Sequence, residues 1–256
     1  VDVPTLRKTI DRYLSEIDVR PTTVASYRGT LNLLLEIVPS GLPVDRVRPS
    51  DLTRVVNRPT SLVSRRTYYR TLRAFFRWAV RDGLIRTAPT DEVKQPKAPR
   101  ISPKFFSREE FKTLLESASD PYTLDLIRFA VGSGLRSGEI RHLRFGDVDE
   151  SLGLIYVQTR KGFRTKAGDR TVPLSLLARD AYENRLQGYP SRRVPGEALV
   201  FESPLGGPVS ASWLAHLTKN LVRASGLDES YHFHTFRHTF ASWLRIDGVS
   251  LDRIQE

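Results

Sequence analysis

The stretch HFHTFRHTFASW, His232 to Trp243, holds three of the five histidines in this 256-residue chain, with Arg237 among them. Two ligands come into question for such a cluster, a metal or an anion, although a His pair at this spacing is more often a packing or hydrogen-bonding feature. His234 and His238 stand four apart and can face one ion from one helix. Three features count against a metal. The chain has no cysteine to complete a zinc set, threonine follows His234 where HExxH needs glutamate, and Arg237 would repel a cation. The anion reading uses every residue. Thr235 is read as the cap of a helix running through TFRHTFASWLRIDG to a stop at Gly248. His234 then lies at or just before a helix N-terminus, where unpaired N–H groups and the helix dipole favour negative charge. Arg237, in the first turn, can hold two phosphate oxygens with its fork.

A second arginine lies upstream, in VGSGLRSGEIRHL. Gly134 permits a tight turn just before Arg136, and Glu139 can orient a guanidinium. The glycine spacing, GxGxxxG at a helix end, is not a dinucleotide loop, and the Gly-Lys-Ser/Thr of a P-loop is absent. Between the two arginine stretches the pattern is mixed. LGLIYVQT reads as a strand by its β-branched and apolar content. FRTKAGDRTVPL reads as a hairpin turning at Ala167-Gly168-Asp169. SREEFKTLLESA opens with a capping box, Ser107 with Glu110. DPYTLDLIRFAVGSG reads as a buried helix, and RSGEIRHLRF as a further turn or two. Helices are expected at about 175–187 and 210–225, with a short strand, ALVFE, between them. SLDRIQE begins one more helix.

Upstream the composition changes. TAPTDEVKQPKAPRISPK, Thr87 to Lys104, carries prolines at 89, 96, 99 and 103 and no helical or strand period. It reads as an extended linker over 89–104. Residues 1–88 read as helical throughout. Leu6, Ile10, Tyr13, Leu14 and Ile17 fall at helical spacing, Pro21 and Pro49 open further helices, and TSLVSRRTYYRTLRAFFRWAVRDG forms a fourth that Gly83 stops.

In that fourth helix Arg66, Arg70, Arg73, Arg77 and Arg81 follow one another by 4, 3, 4 and 4 residues and share a face. Tyr68, Leu72, Phe75, Phe76 and Ala79 share another. Like charges at this spacing cost about 0.2–0.5 kcal/mol per pair, and a merely solvated face normally interleaves glutamate. The stripe therefore reads as phosphate-tracking. The charge balance agrees. Residues 1–100 hold 19 basic and 10 acidic side chains, a net of +9, against 21 and 19, a net of +2, in residues 101–256. A basic excess on one segment points to nucleic acid. No apolar run approaches the roughly 18 residues of a membrane helix. The lack of cysteine excludes a disulfide framework and fits the cytoplasm.

GLRSGEI, then the hairpin with TKAGDRTVPL, then HTFRHTFAS, in that order, resembles the tyrosine recombinase (phage integrase) family over the whole chain. The resemblance implies a mainly α fold of two domains. An all-helical core-binding domain (1–88) would precede an α+β catalytic domain (105–256) with a small antiparallel sheet. By that resemblance Arg136 and Arg237 are the two arginines that clamp the scissile DNA phosphate, and Glu139 supports Arg136. His234 donates to the phosphate and helps move the proton. Lys166 is the general acid for the leaving 5′-oxygen, with Lys161 as its rival on the same hairpin. His238 is structural. No cofactor and no metal is implied. The expected partners are double-stranded attachment-site DNA, three further copies in a tetramer that exchanges strands through a Holliday junction, and accessory bending or directionality factors, in the bacterial cytoplasm or nucleoid.

The family's nucleophile is a tyrosine C-terminal to all these motifs. All nine tyrosines of this chain precede Arg237, the last being Tyr231, which stands in the wrong motif context. Residues 1–256 are therefore expected to be truncated before the nucleophile and inactive alone. The alternative function is a non-catalytic DNA-binding protein or truncated integrase acting as a repressor or competitor.

Overall fold

The computed structural model describes residues 3–97, 99, 102–189, 195–250 and 252. The chain divides into two compact units, Val1–Ile101 and Ser102–Glu256.

The first unit packs four helices, α1 (Leu6–Glu16), α2 (Pro21–Leu35), α3 (Pro49–Asn57) and α4 (Leu62–Arg81). Thr5 caps α1, its side chain accepting from the Lys8 amide. Proline starts α2 and α3, where its missing N–H costs nothing. The apolar face of α4 turns inward as its period requires: Leu72, Phe75, Phe76 and Ala79 are fully buried. Phe75 sits between Tyr13 (5.3 Å, edge-on) and Phe76 (4.8 Å, edge-on). Pro89–Glu92, within the stretch read as linker, forms a 3-10 turn against α3 and α4, and Val93 joins the same core.

The second unit is built round α6 (Pro121–Ser133), whose residues from Phe129 to Ser133 are all buried. Around it stand α5 (Arg108–Glu116), α7 (Ser137–Arg141), α8 (Leu176–Gln187), α9 (Ala211–Ala224) and α10 (Phe233–Ile246). Gly132 lets α8 come close, because a Cβ there would lie 2.6 Å from the Ala178 nitrogen. The segment before α5 is fastened to α10. The Phe106 amide donates to Thr239 and the Trp243 indole to the Phe106 carbonyl, both at 3.0 Å.

The sheet is antiparallel, ordered β1 (Val148–Asp149), β2 (Leu154–Val157), β3 (Arg170–Pro173). Leu154 pairs with Pro173 and Val157 with Arg170. This corrects the hairpin expected within FRTKAGDRTVPL: β3 pairs with β2, and residues 163–166 form no strand. The connection bonds in part to itself. Arg160 and Phe163 exchange two backbone hydrogen bonds, and Asp169 accepts from the Thr159 amide at 2.7 Å. ALVFE is likewise not a strand. Leu199 makes one bridge to Arg144, while Val200 and Phe201 are apolar because they are core residues. The helix expected in SLDRIQE lies mostly outside the described residues. No helix among the described residues is long and apolar enough to cross a membrane.

Candidate active site

Three backbone features converge beside the C-terminus of α6. Gly134 ends that helix in the left-handed conformation, φ +60°. Arg136 is the N-cap of α7, and Glu139, the third residue of that helix, closes a capping box on it. The Glu139 carboxylate accepts from the Arg136 amide at 2.8 Å and from Arg136 Nη1 at 3.2 Å. From α10, the Arg237 guanidinium donates to the Gly134 carbonyl. A cavity of about 330 Å³ opens among Arg136, Arg237, Ala167 and Arg170, with Phe240 and Leu244 on its apolar side.

The start of α10 differs by a few residues from its sequence reading. His232 is the N-cap, and Thr235 is the third helical residue, its hydroxyl accepting from the His232 amide at 3.0 Å. His234 is therefore the second residue of the helix, at its N-terminus as expected, whereas Arg237 is the fifth and lies in the second turn rather than the first. Its ring meets that of His238 edge-on at 4.6 Å. Burial depresses the basicity of His234, and His238, Arg237, His232 and Arg136 depress it further. The imidazole is thus neutral near pH 7, able to donate one proton and accept another.

Arg237 is pushed below the usual guanidinium range by burial and by Arg136, with Glu139 acting in the opposite sense. For Glu139, burial pushes the carboxyl up. Hydrogen bonds from Arg170 and from the Arg136 amide outweigh it, and the net shift is downward. Charge-assisted bonds of this kind are the strong ones, and here they lie mostly out of water.

Arg170 is the site residue that sequence reasoning missed. It binds both oxygens of Glu139, at 2.9 and 2.8 Å. A signal was present: Arg170 shares the inward face of β3 with Val172, which packs against the core, and an arginine on that face needs a carboxylate.

The two lysines separate. Both are exposed. Lys166 adjoins Ala167, which lines the arginine cavity, whereas Lys161 lines a different one with His142, Arg144 and Glu197. Tyr231 is tied elsewhere. Its ring packs on Phe106 at 4.3 Å, its hydroxyl donates to Glu110 at 3.0 Å, and burial followed by that bond pushes it up to about 12.

The arginine stripe lies on α4 of the first unit. Arg66, Arg70, Arg77 and Arg81 are exposed, and Arg77 stands 3.8 Å from Asp91. Arg73 departs from the stripe. It is half-buried, with its Nε out of water and without a hydrogen-bond partner. At 100° per residue it falls about 40° from Tyr69, which is buried in the core, so it belongs to the edge of that face.

Residues 104–256 match the phage integrase family. The tyrosine recombinase XerC of Oceanobacillus iheyensis is 29% identical across 97% of this chain and 85% of its own length. Among solved structures, the Tn1549 transposon integrase in complex with circular intermediate DNA superposes with a TM-score of 0.80 at 21% identity, over 98% of this chain and 90% of that one. A lambda integrase tetramer bound to a Holliday junction gives 0.78 at 19%, over 98% and 76%. Those two structures share the mainly helical fold with its small antiparallel sheet. The chain belongs to the phage integrase family of tyrosine-type site-specific DNA recombinases.

Proposed function

We propose that this chain is part of a recombinase that cuts and rejoins duplex DNA through a 3′-phosphotyrosyl intermediate, with Arg136 and Arg237 as the clamp on the scissile phosphate. The observation that carries the reading is the meeting of both guanidiniums on one cavity, that of Arg136 held by Glu139 and that of Arg237 by the Gly134 carbonyl. In the reaction a tyrosine oxygen bonds to phosphorus and the bond from phosphorus to the 5′-oxygen breaks. The arginines stabilise the negative charge on the non-bridging oxygens, a type of contact whose loss costs about 10²–10³ in rate. Lys166 gives its proton to the leaving 5′-oxygen. His234 donates to the phosphate and takes part in the proton movement.

The first unit is read as the core-binding domain and the second as the catalytic one, with the connection beginning after Val93, which belongs to the first unit's core. Exposed arginines of α4 track phosphates. The assembly is a tetramer on DNA in the bacterial cytoplasm or nucleoid. In this reading none of the nine tyrosines is the nucleophile; the last, Tyr231, is bonded to Glu110.

The test uses a version that carries the nucleophile, on a nicked suicide substrate. Arg136→Ala and Arg237→Ala abolish the covalent protein–DNA product while keeping most DNA affinity, because many phosphates are contacted and one is cut. A substrate with a 5′-bridging sulfur, which leaves without an acid, restores Lys166→Ala. Rescue of Lys161→Ala and not of Lys166→Ala would transfer the acid role to Lys161.

A further inference from the structure

The carboxylate that supports Arg136 is held from two sides. Arg136 itself uses one guanidinium nitrogen, at 3.2 Å, and its amide. Arg170 uses both terminal nitrogens, one on each oxygen, at 2.9 and 2.8 Å. The Arg170 side chain is 14% exposed and that of Glu139 3%, against 29% for Arg136. A bidentate guanidinium pair fixes the plane of a carboxylate. That plane then fixes where Arg136 can point. The support is stiff, because Arg170 opens β3 and is paired in register with Val157 of β2.

Charge leads to the same residue. A carboxylate facing Arg136 alone would neutralise the very guanidinium meant for a phosphate. Arg136, Arg170 and Arg237 all line the cavity, and Glu139 is bonded to the first two. Three guanidiniums less one carboxylate leave two positive charges there, enough to match a doubly negative oxyanion.

We propose that Arg170 is a positioning residue for the phosphate clamp: it locks Glu139 in plane and neutralises it, so that Arg136 stays aimed and uncompensated. Arg170 acts through Glu139 and not on the phosphate. The inference rests on the clamp reading of Arg136 and Arg237.

Vanadate, which mimics a phosphoryl group under attack, tests it on residues 1–256 by vanadium NMR titration, with thermal unfolding of the free protein as the measure of packing. Arg170→Met weakens vanadate binding about tenfold, the size of one lost charge-assisted contact. Arg170→Lys keeps the charge without the fork and falls between. The decisive variant is Arg170→Met with Glu139→Gln. The neutral amide no longer cancels Arg136, so the double variant binds vanadate more tightly than Arg170→Met alone. A residue that only held the fold together would show no such recovery. Parent-like affinity in Arg170→Met, or a double variant no better than the single, overturns the proposal. If Arg170→Met does not fold, Arg170→Lys with and without Glu139→Gln decides by the same two outcomes. Arg136→Ala and Arg237→Ala separate the levels. Retained vanadate affinity in both defeats the clamp reading itself, whereas its loss there with no effect at Arg170 defeats only this inference.

Discussion

Gly134 links the two arginines of the candidate site. Its carbonyl receives Arg237, and its left-handed turn delivers the chain to Arg136. A Cβ at this position would lie 2.2 Å from the Phe240 ring, in a conformation that L residues avoid. Gly134→Ala is therefore expected to cost about 1–3 kcal/mol from the backbone alone, and more once Phe240 is displaced. Urea denaturation measures the loss, and unchanged stability would show that the turn relaxes freely. The histidines make a second prediction. Burial, followed by neighbouring cationic groups, lowers the basicity of both His234 and His238. The unfolded chain then binds protons first as pH falls. Their contribution to stability is complete above the unfolded value of about 6.5 and is lost as pH drops through the lower folded values. Melting temperatures at pH 7.5 and 5.5 should differ more for the parent than for His234→Gln with His238→Gln. An equal drop in both would remove the histidines from the pH dependence. Tyr231 belongs at this level too. Its phenol is bonded to Glu110 and hard to ionise, a poor starting point for a nucleophile.

The helices hold the site by their ends. α6 contributes its C-terminus, α7 its N-cap and α10 its first two turns, so the candidate site gathers where helices stop and backbone groups are free. β3 adds Arg170 from the side. α4 does a different task with its whole length: one face fills the core of the first unit and the other presents arginines. Its exposed members, Arg66, Arg70, Arg77 and Arg81, are the ones expected to meet DNA phosphates. Two or three such contacts would give a slope of about −2 to −3 in log K against log salt. Single glutamine substitutions, each titrated across a salt series, should lower affinity and flatten that slope at two or more positions. Arg73→Gln should leave the slope alone, since that side chain is half-buried. Identical slopes in every variant would make the stripe a solvated face.

Each unit encloses its own core, one around Phe75 and Phe76, the other around Phe129, Phe201 and Phe236. Phe75→Ala should cost the first unit about 3–5 kcal/mol and Phe129→Ala the second a similar amount, read as lost hydrogen-exchange protection within residues 3–97 and 102–189 respectively. Function needs more than folding. Residues 1–256 should bind DNA yet give no covalent band with a nicked suicide substrate on denaturing electrophoresis. Adding a segment that carries the tyrosine should produce one. A band from residues 1–256 would show that an internal tyrosine acts, and mapping the linked residue would identify it.

The amino-acid order settled the helical first segment, the existence of the paired arginines and the family, because helix periodicity, caps and the GLRSGEI and HTFRHTFAS motifs are local patterns in the chain. It also placed Glu139 beside Arg136, three residues away and one helical turn on. Packing settled what local pattern leaves open. β3 pairs with β2 across a connection that satisfies some of its own backbone. ALVFE, apolar enough for a strand, became core without a ladder. Arg73 left the stripe because a 3.6-residue turn carries it toward Tyr69. Arg170, thirty-one positions from Glu139, reached it only through the sheet. A buried carboxylate takes the guanidiniums that the fold brings within reach, and sequence distance does not reveal which those are.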